Sequence, residues 1–178
     1  MQELLALKFP EHRSEISVKL PGYIRVNGEQ VRVTGDILMD SGAIHRSYID
    51  KGLVDRFRVY VNSRIKSFRG WVTMGDNKTT KEVTEMLRIE VTMADSKGNP
   101  TSAEVDMVVW DMPGTGIILG LPDLVDHFLE VFIEVLVDER EAREQARVEA
   151  VSSLGESAEP GNSLREPWWK RNHYLPQS

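Results

Sequence analysis

The 178-residue chain contains no cysteine. That absence removes disulfides, thiol nucleophiles and thiolate metal sites together, and it fits a reducing compartment. A surplus of basic charge is missing as well: 22 Lys and Arg stand against 28 Asp and Glu, a formal net charge of -6. No broad cationic surface is therefore offered to nucleic acid or acidic lipid, and neither partner is expected. Long apolar runs are absent, none approaching the ~18 residues that cross a bilayer. Leu4-Leu5-Ala6-Leu7 sits between Glu3 and Lys8 with no small-residue cleavage site after it, so no secretory signal is expected. His12, His45, His127 and His173 are scattered without paired spacing, and no metal site is predicted. A soluble protein results from this reading, cytoplasmic or enclosed in a virus-like particle.

What is present, over residues 12 to 137, is a succession of strand signals broken by turns. Ile16, Val18 and Leu20 alternate with Ser17 and Lys19, the period of a half-buried strand. Asn27-Gly28 lies between Ile24/Val26 and Val31/Val33, a strong hairpin signal because both turn positions need positive φ. Ile37-Leu38-Met39 is a continuous apolar run suited to a strand covered on both faces. A short helical turn is expected near 47–53. Further strands are expected at Arg58 to Val61, Gly70 to Met74, Val83 to Thr92, Ala103 to Trp110 and Gly116 to Leu119. Leu121 to Phe128 reads as a short helix with Pro122 near its first position. Leu129 to Val137 reads as a last apolar strand.

At Asp138 the composition turns to Glu, Ala and Arg, with helical propensity but little apolar face, and 152–163 has a linker's Ser, Gly, Glu and Pro. We divide the chain into a lead-in at 1–11, a domain at 12–137 and a charged, helical and disordered extension at 138–178. Trp168-Trp169-Lys170-Arg171 near the end is aromatic and basic. Gly114-Thr115-Gly116 is not a dinucleotide loop, since its glycines precede a strand instead of following one.

Two segments carry the chemistry. In the first, the apolar strand Ile37-Leu38-Met39 runs into Asp40-Ser41-Gly42-Ala43; in the second, Ile117-Ile118-Leu119 ends at Gly120. Together they resemble the signature segments of retropepsins, the aspartic proteases of retroviruses and long-terminal-repeat retrotransposons. The spacing from Asp40 to Ile118 suits the retrotransposon branch. Trp71 to Thr79 looks like the flap hairpin that closes over substrate, with Thr73, Met74, Gly75 and Asp76 as its peptide-contacting residues. Trp71 itself reads more readily as core than as site. The resemblance covers roughly residues 14 to 137, and only Asp-Ser-Gly is individually sharp.

Peptide hydrolysis without a metal or covalent intermediate needs an activated water and a protonated leaving nitrogen. Two carboxylates sharing one proton supply both: the ionised one takes a proton from water while the neutral one polarises the carbonyl. The chain holds one such motif, because Asp95-Ser96-Lys97-Gly98 has an intruding Lys and sits in a turn. The resemblance therefore implies a homodimer with Asp40 from each subunit on the two-fold axis. It further implies that Ser41 locks the two loops through its hydroxyl, that Gly42 permits the tight turn, and that Ala43 helps bind the peptide backbone. Ile118, Leu119 and Gly120 form the second segment. No cofactor is implied. The expected fold is all-β: a closed, barrel-like retropepsin domain with one short C-terminal helix, whose terminal strand at Leu129 to Val137 interleaves across the dimer. The expected activity is endoproteolysis of an extended polyprotein segment. Two other readings stay open, a non-catalytic dimerisation or peptide-binding module of the same fold and an unrelated β-barrel binding protein.

Overall fold

The computed structural model describes residues 17–73 and 80–153. Hydrophobic alternation yields the first strands as expected. In β1 (Ser17–Leu20), Val18 and Leu20 are buried and Lys19 is exposed. β2 (Tyr23–Val26) and β3 (Glu29–Arg32) form a two-residue hairpin with Val26 opposite Glu29. Its turn takes φ of 50° at Asn27 and 84° at Gly28, the left-handed pair that Asn-Gly tolerates. β4 (Ile37–Asp40) buries Ile37 and Met39 and leaves Leu38 and Asp40 partly covered.

The chain then departs from the sequence expectation. Residues 47–50 form a strand, β5 (Ser47–Asp50), and the helix α1 (Lys51–Val61) follows it directly. The strand expected at Arg58 to Val61 is thus the last turn of a helix. Local chemistry explains it: Asp50 caps the helix by accepting the Leu53 N–H at 3.0 Å. Asp55 pairs with Lys51 and Arg58, its neighbours one turn away on either side. Leu53, Val54 and Val61 bury one face, at helical spacing. β6 (Ile65–Thr73) and β7 (Thr80–Ala94) form a long hairpin whose last described pair is Thr73 and Thr80. β8 (Pro100–Trp110) returns along β7 after the turn at Asp95 to Asn99. β9 (Ile117–Gly120) leads into α2 (Leu121–His127), the expected short helix with Pro in its first turn.

The described strands form one sheet in the order β1-β4-β9-β5-β8-β7-β2-β3, with β6 branching from β7. It is not a closed barrel. A strand has two edges, and the 15-residue β7 gives one edge to β8. Its other edge is divided between β6, at Thr80 to Leu87, and β2, at Val91 and Thr92. β1 and β3 are left as the ends of the path, not paired to each other. A strand-rich fold with a few helices is therefore the observed class.

Leu129 to Val137 is the second correction. It is not a strand but the start of α3 (Leu129–Ser153). The apolar run is long enough to satisfy either period, and burial chooses the helical one. Phe128, Val131 and Val135 are buried at spacings of three and four, with Phe132 packed against the same core. The Glu- and Arg-rich residues after Asp138 continue that helix without a break at 137. The terminal strand that was to interleave across a dimer is consequently not found among the described residues. No helix among them is long and apolar enough to cross a membrane.

Candidate active site

Asp40 is the last residue of β4, and the sheet fixes it from both sides. β1 pairs Ser17 with Asp40 in antiparallel register, while β9 pairs Gly120 with Asp40 in parallel register. The two sequence segments singled out for their resemblance, far apart in the chain, are therefore neighbouring strands. Beyond Asp40 the backbone turns at once: Ala43 N–H donates to the Asp40 carbonyl at 3.2 Å, and Ile44 N–H to the Gly42 carbonyl at 3.0 Å. The Asp40 Oδ1 accepts the Gly42 N–H at 2.8 Å, which leaves the second carboxylate oxygen outside that bond. A β-carbon at residue 42 would lie 3.0 Å from Oδ1, so a larger residue there would crowd the carboxylate.

Three further contacts bind this loop to the β9–α2 junction. Leu121 N–H donates to the Ala43 carbonyl at 3.0 Å. The buried Gly120 N–H donates to Ser47 Oγ at 2.9 Å, and that hydroxyl donates to the Asp123 carboxylate. Gly120 is required by close approach, because a β-carbon there would meet the Arg46 carbonyl at 2.3 Å and the Ala43 carbonyl at 2.6 Å. Ser47 is fully buried at the first position of β5. With β9 inserted between β4 and β5, the aspartate loop, the apolar-Gly segment and the helix start become one hydrogen-bonded unit.

This unit opens onto a cleft of about 1080 Å³ that runs between the Asp40 loop and the β6–β7 hairpin. Asp40, Gly42, Ala43, Thr73 and Ile118 all line it. Ser41 is exposed at the tip of the turn. Leu119 does not reach the cleft but lies fully buried in the core, as the alternation along β9 requires. Met74, Gly75 and Asp76 fall outside the described residues. Trp71, expected as core, is 66% exposed and lines the cleft instead.

Several cleft residues were not foreseen. Val72, Val83 and Val108 form a small apolar cluster separate from the main core, covered by Tyr48, Phe68, Met86 and Trp110. Tyr48 and Trp110 meet in a tilted aromatic contact with centroids 5.8 Å apart. Burial pushes the Tyr48 phenol above its ordinary pKa; Arg46 opposes the shift and the Asp40 carboxylate adds to it. Trp110 Nε1–H is buried and finds no partner among the described residues. Asp50, which caps α1, also accepts the Met112 N–H at 2.9 Å and so anchors the β8–β9 loop that forms the far wall. Sequence signals for these residues were faint, because strands distant in the chain bring them together. Among the described residues no group of three His, Asp or Glu side chains is placed to hold a metal ion.

No family model matches the chain, and no curated protein matches it. Among solved structures it is similar to the retroviral protease-like domain of Ddi1 from Leishmania major. The two share 20% sequence identity at a TM-score of 0.41, over 62% of this chain and 78% of that one. A likeness so distant leaves the chemistry to be judged from the residues themselves.

Proposed function

We propose that the chain is a retropepsin-like aspartic endopeptidase, active as a homodimer in which two Asp40 carboxylates share a proton and activate one water. The observation that carries this is the seating of Asp40: a half-buried carboxylate at a strand end, locked against the Gly120 segment, lining an open cleft whose wall includes β6. One carboxylate cannot act as acid and base at once, so a second copy supplies the other. Like charges a few Å apart resist joint ionisation, which favours one proton shared between the two carboxylates. The β6–β7 hairpin, including Thr73 and the residues Met74, Gly75 and Asp76 beyond it, would hold an extended peptide as an added strand. Ser41 would cross-link the two loops, and the substrate would be a polyprotein segment met in the cytoplasm or a virus-like particle. This chemistry uses no cofactor.

A non-catalytic peptide-binding module of the same fold is a second reading, favoured by one observation: α3 occupies the place of the expected interface strand. Asp40→Asn decides between them. In a longer precursor and in a diverse peptide library at pH 4 to 7, wild type should cleave. Asp40→Asn should lose at least ~10³-fold in kcat/KM while keeping peptide affinity. A wild-type protein that binds peptides and cleaves none establishes the binding module.

A further inference from the structure

Arg46 is an exposed cation on the wall of the cleft, six positions beyond Asp40. Its side chain reaches from the aspartate loop across to the hairpin. The guanidinium lies 5.0 Å from the Phe68 ring centroid, over its face, and Nη1 donates to Met86 Sδ at 3.8 Å. These contacts fix the plane of the fork while using little of its donor capacity, since a thioether is a weak acceptor. Among the described residues no carboxylate pairs with it. The other arginines near the hairpin differ: Arg58 pairs with Glu85 and Arg69 with Glu82. The opposing effects of Arg46 and Asp40 on the Tyr48 phenol place the field of this cation in the same part of the cleft as the aspartate.

We infer that Arg46 is a specificity-determining residue, which selects peptides bearing an acidic side chain at the position that reaches its guanidinium fork. A planar fork with unused N–H groups suits a carboxylate better than an amide or a hydroxyl. Asp111 also lines the cleft, and with Asp40 it repels an acid elsewhere, which confines the preference to where the bound strand passes an Arg46 fork. The inference rests on the peptide-cleft assignment above. In a two-fold dimer it has a consequence of its own: two Arg46 side chains impose the preference at two positions, equally distant from the scissile bond on either side.

The experiment uses terminally blocked octapeptides with an apolar centre, each carrying a single Glu, Gln or Lys at one position. Affinity is measured by fluorescence anisotropy on the Asp40→Asn protein, and cleavage on wild type. Glu should be preferred to Gln by roughly three- to tenfold at one symmetric pair of positions, with Lys disfavoured. Arg46→Gln should bring that ratio to about one, Arg46→Glu should invert it, and Arg46→Lys should keep only part of it. Raising the salt from ~0.05 to ~0.5 M should shrink the preference, because the fork is open to solvent. Equal binding of Glu and Gln peptides, or a Glu preference that survives Arg46→Gln, overturns the role of Arg46. As a control the same peptides are left unblocked at the C-terminus; a gain seen only in these overturns it too, since the fork would then be reading a chain end. Selective binding without any cleavage keeps the inference and removes the protease assignment; binding of no peptide removes both.

Discussion

Ser47 shows how a single small residue can govern a site it does not touch. Its hydroxyl accepts from the buried Gly120 N–H and donates to Asp123, so it joins β5 to the β9–α2 junction directly beneath the aspartate loop. Ser47→Ala would leave the Gly120 N–H without an acceptor in a fully buried place, at a cost of ~1–3 kcal/mol. We expect a lower urea midpoint, and a fall in kcat larger than any change in KM, because the loop that aims Asp40 loosens while the cleft wall stays. Unchanged stability in the purified variant would show that the hydroxyl does not hold this junction. The strand ends at Asp40-Ser41-Gly42 and Ile118-Leu119-Gly120 were legible because each is a local pattern, an apolar strand running into a turn that admits few residues. Ser47 with Asp123, and Arg46 with Phe68, were not: each pair comes together only after β9 is inserted between β4 and β5, or after the hairpin folds over the loop.

Among the elements, those with one strong local signal were read correctly, such as the Asn27-Gly28 hairpin and the Pro-started α2. Segments whose apolar residues satisfy both periods were not. Arg58 to Val61 and Leu129 to Val137 look like short strands, and their neighbours decide otherwise: the Asp50 cap upstream of one, and the buried Phe128 and Leu124 upstream of the other. The misread α1 carries a testable tie to the hairpin. Arg58 grips Glu85 of β7 with two parallel bonds, Nη1 to Oε1 at 3.0 Å and Nη2 to Oε2 at 2.9 Å. The guanidinium holds the Glu85 carboxyl below its ordinary value of 4.5, opposed by burial and by the Asp55 charge. A depressed folded-state pKa stabilises the protein above the unfolded value. The contribution of Glu85 is therefore complete above about pH 4.5, falls as the pH drops further, and is gone beneath the folded-state pKa. The side chains are 34% and 33% exposed, so screening keeps the pair to ~0.5–1 kcal/mol. Glu85→Gln should flatten the stability curve by that amount between pH 3 and 5 in urea titrations. An unaltered acid limb would mean that the pair adds nothing measurable.

At the level of the whole molecule, the open sheet and the single Asp40 loop per chain make the number of copies the decisive variable. A cleft built by one chain holds one such carboxylate loop, and the proposed chemistry needs two. Mixing tests this without any knowledge of the interface. Wild-type and Asp40→Asn chains differ by one atom group on a partly exposed side chain, so they should pair at random when co-refolded. If both carboxylates are required, mixed dimers are inactive, and activity falls as the square of the wild-type fraction. An equal mixture should retain about a quarter of the activity of the same total protein, instead of the half expected from independent chains. Dilution of wild type alone should also reduce specific activity once dimers dissociate, and sedimentation velocity should show the mass halving over the same range. A linear dependence on wild-type fraction would mean that each chain works alone, and the second acid or base would then have to be sought among residues of the same cleft, with Asp111 the first to replace.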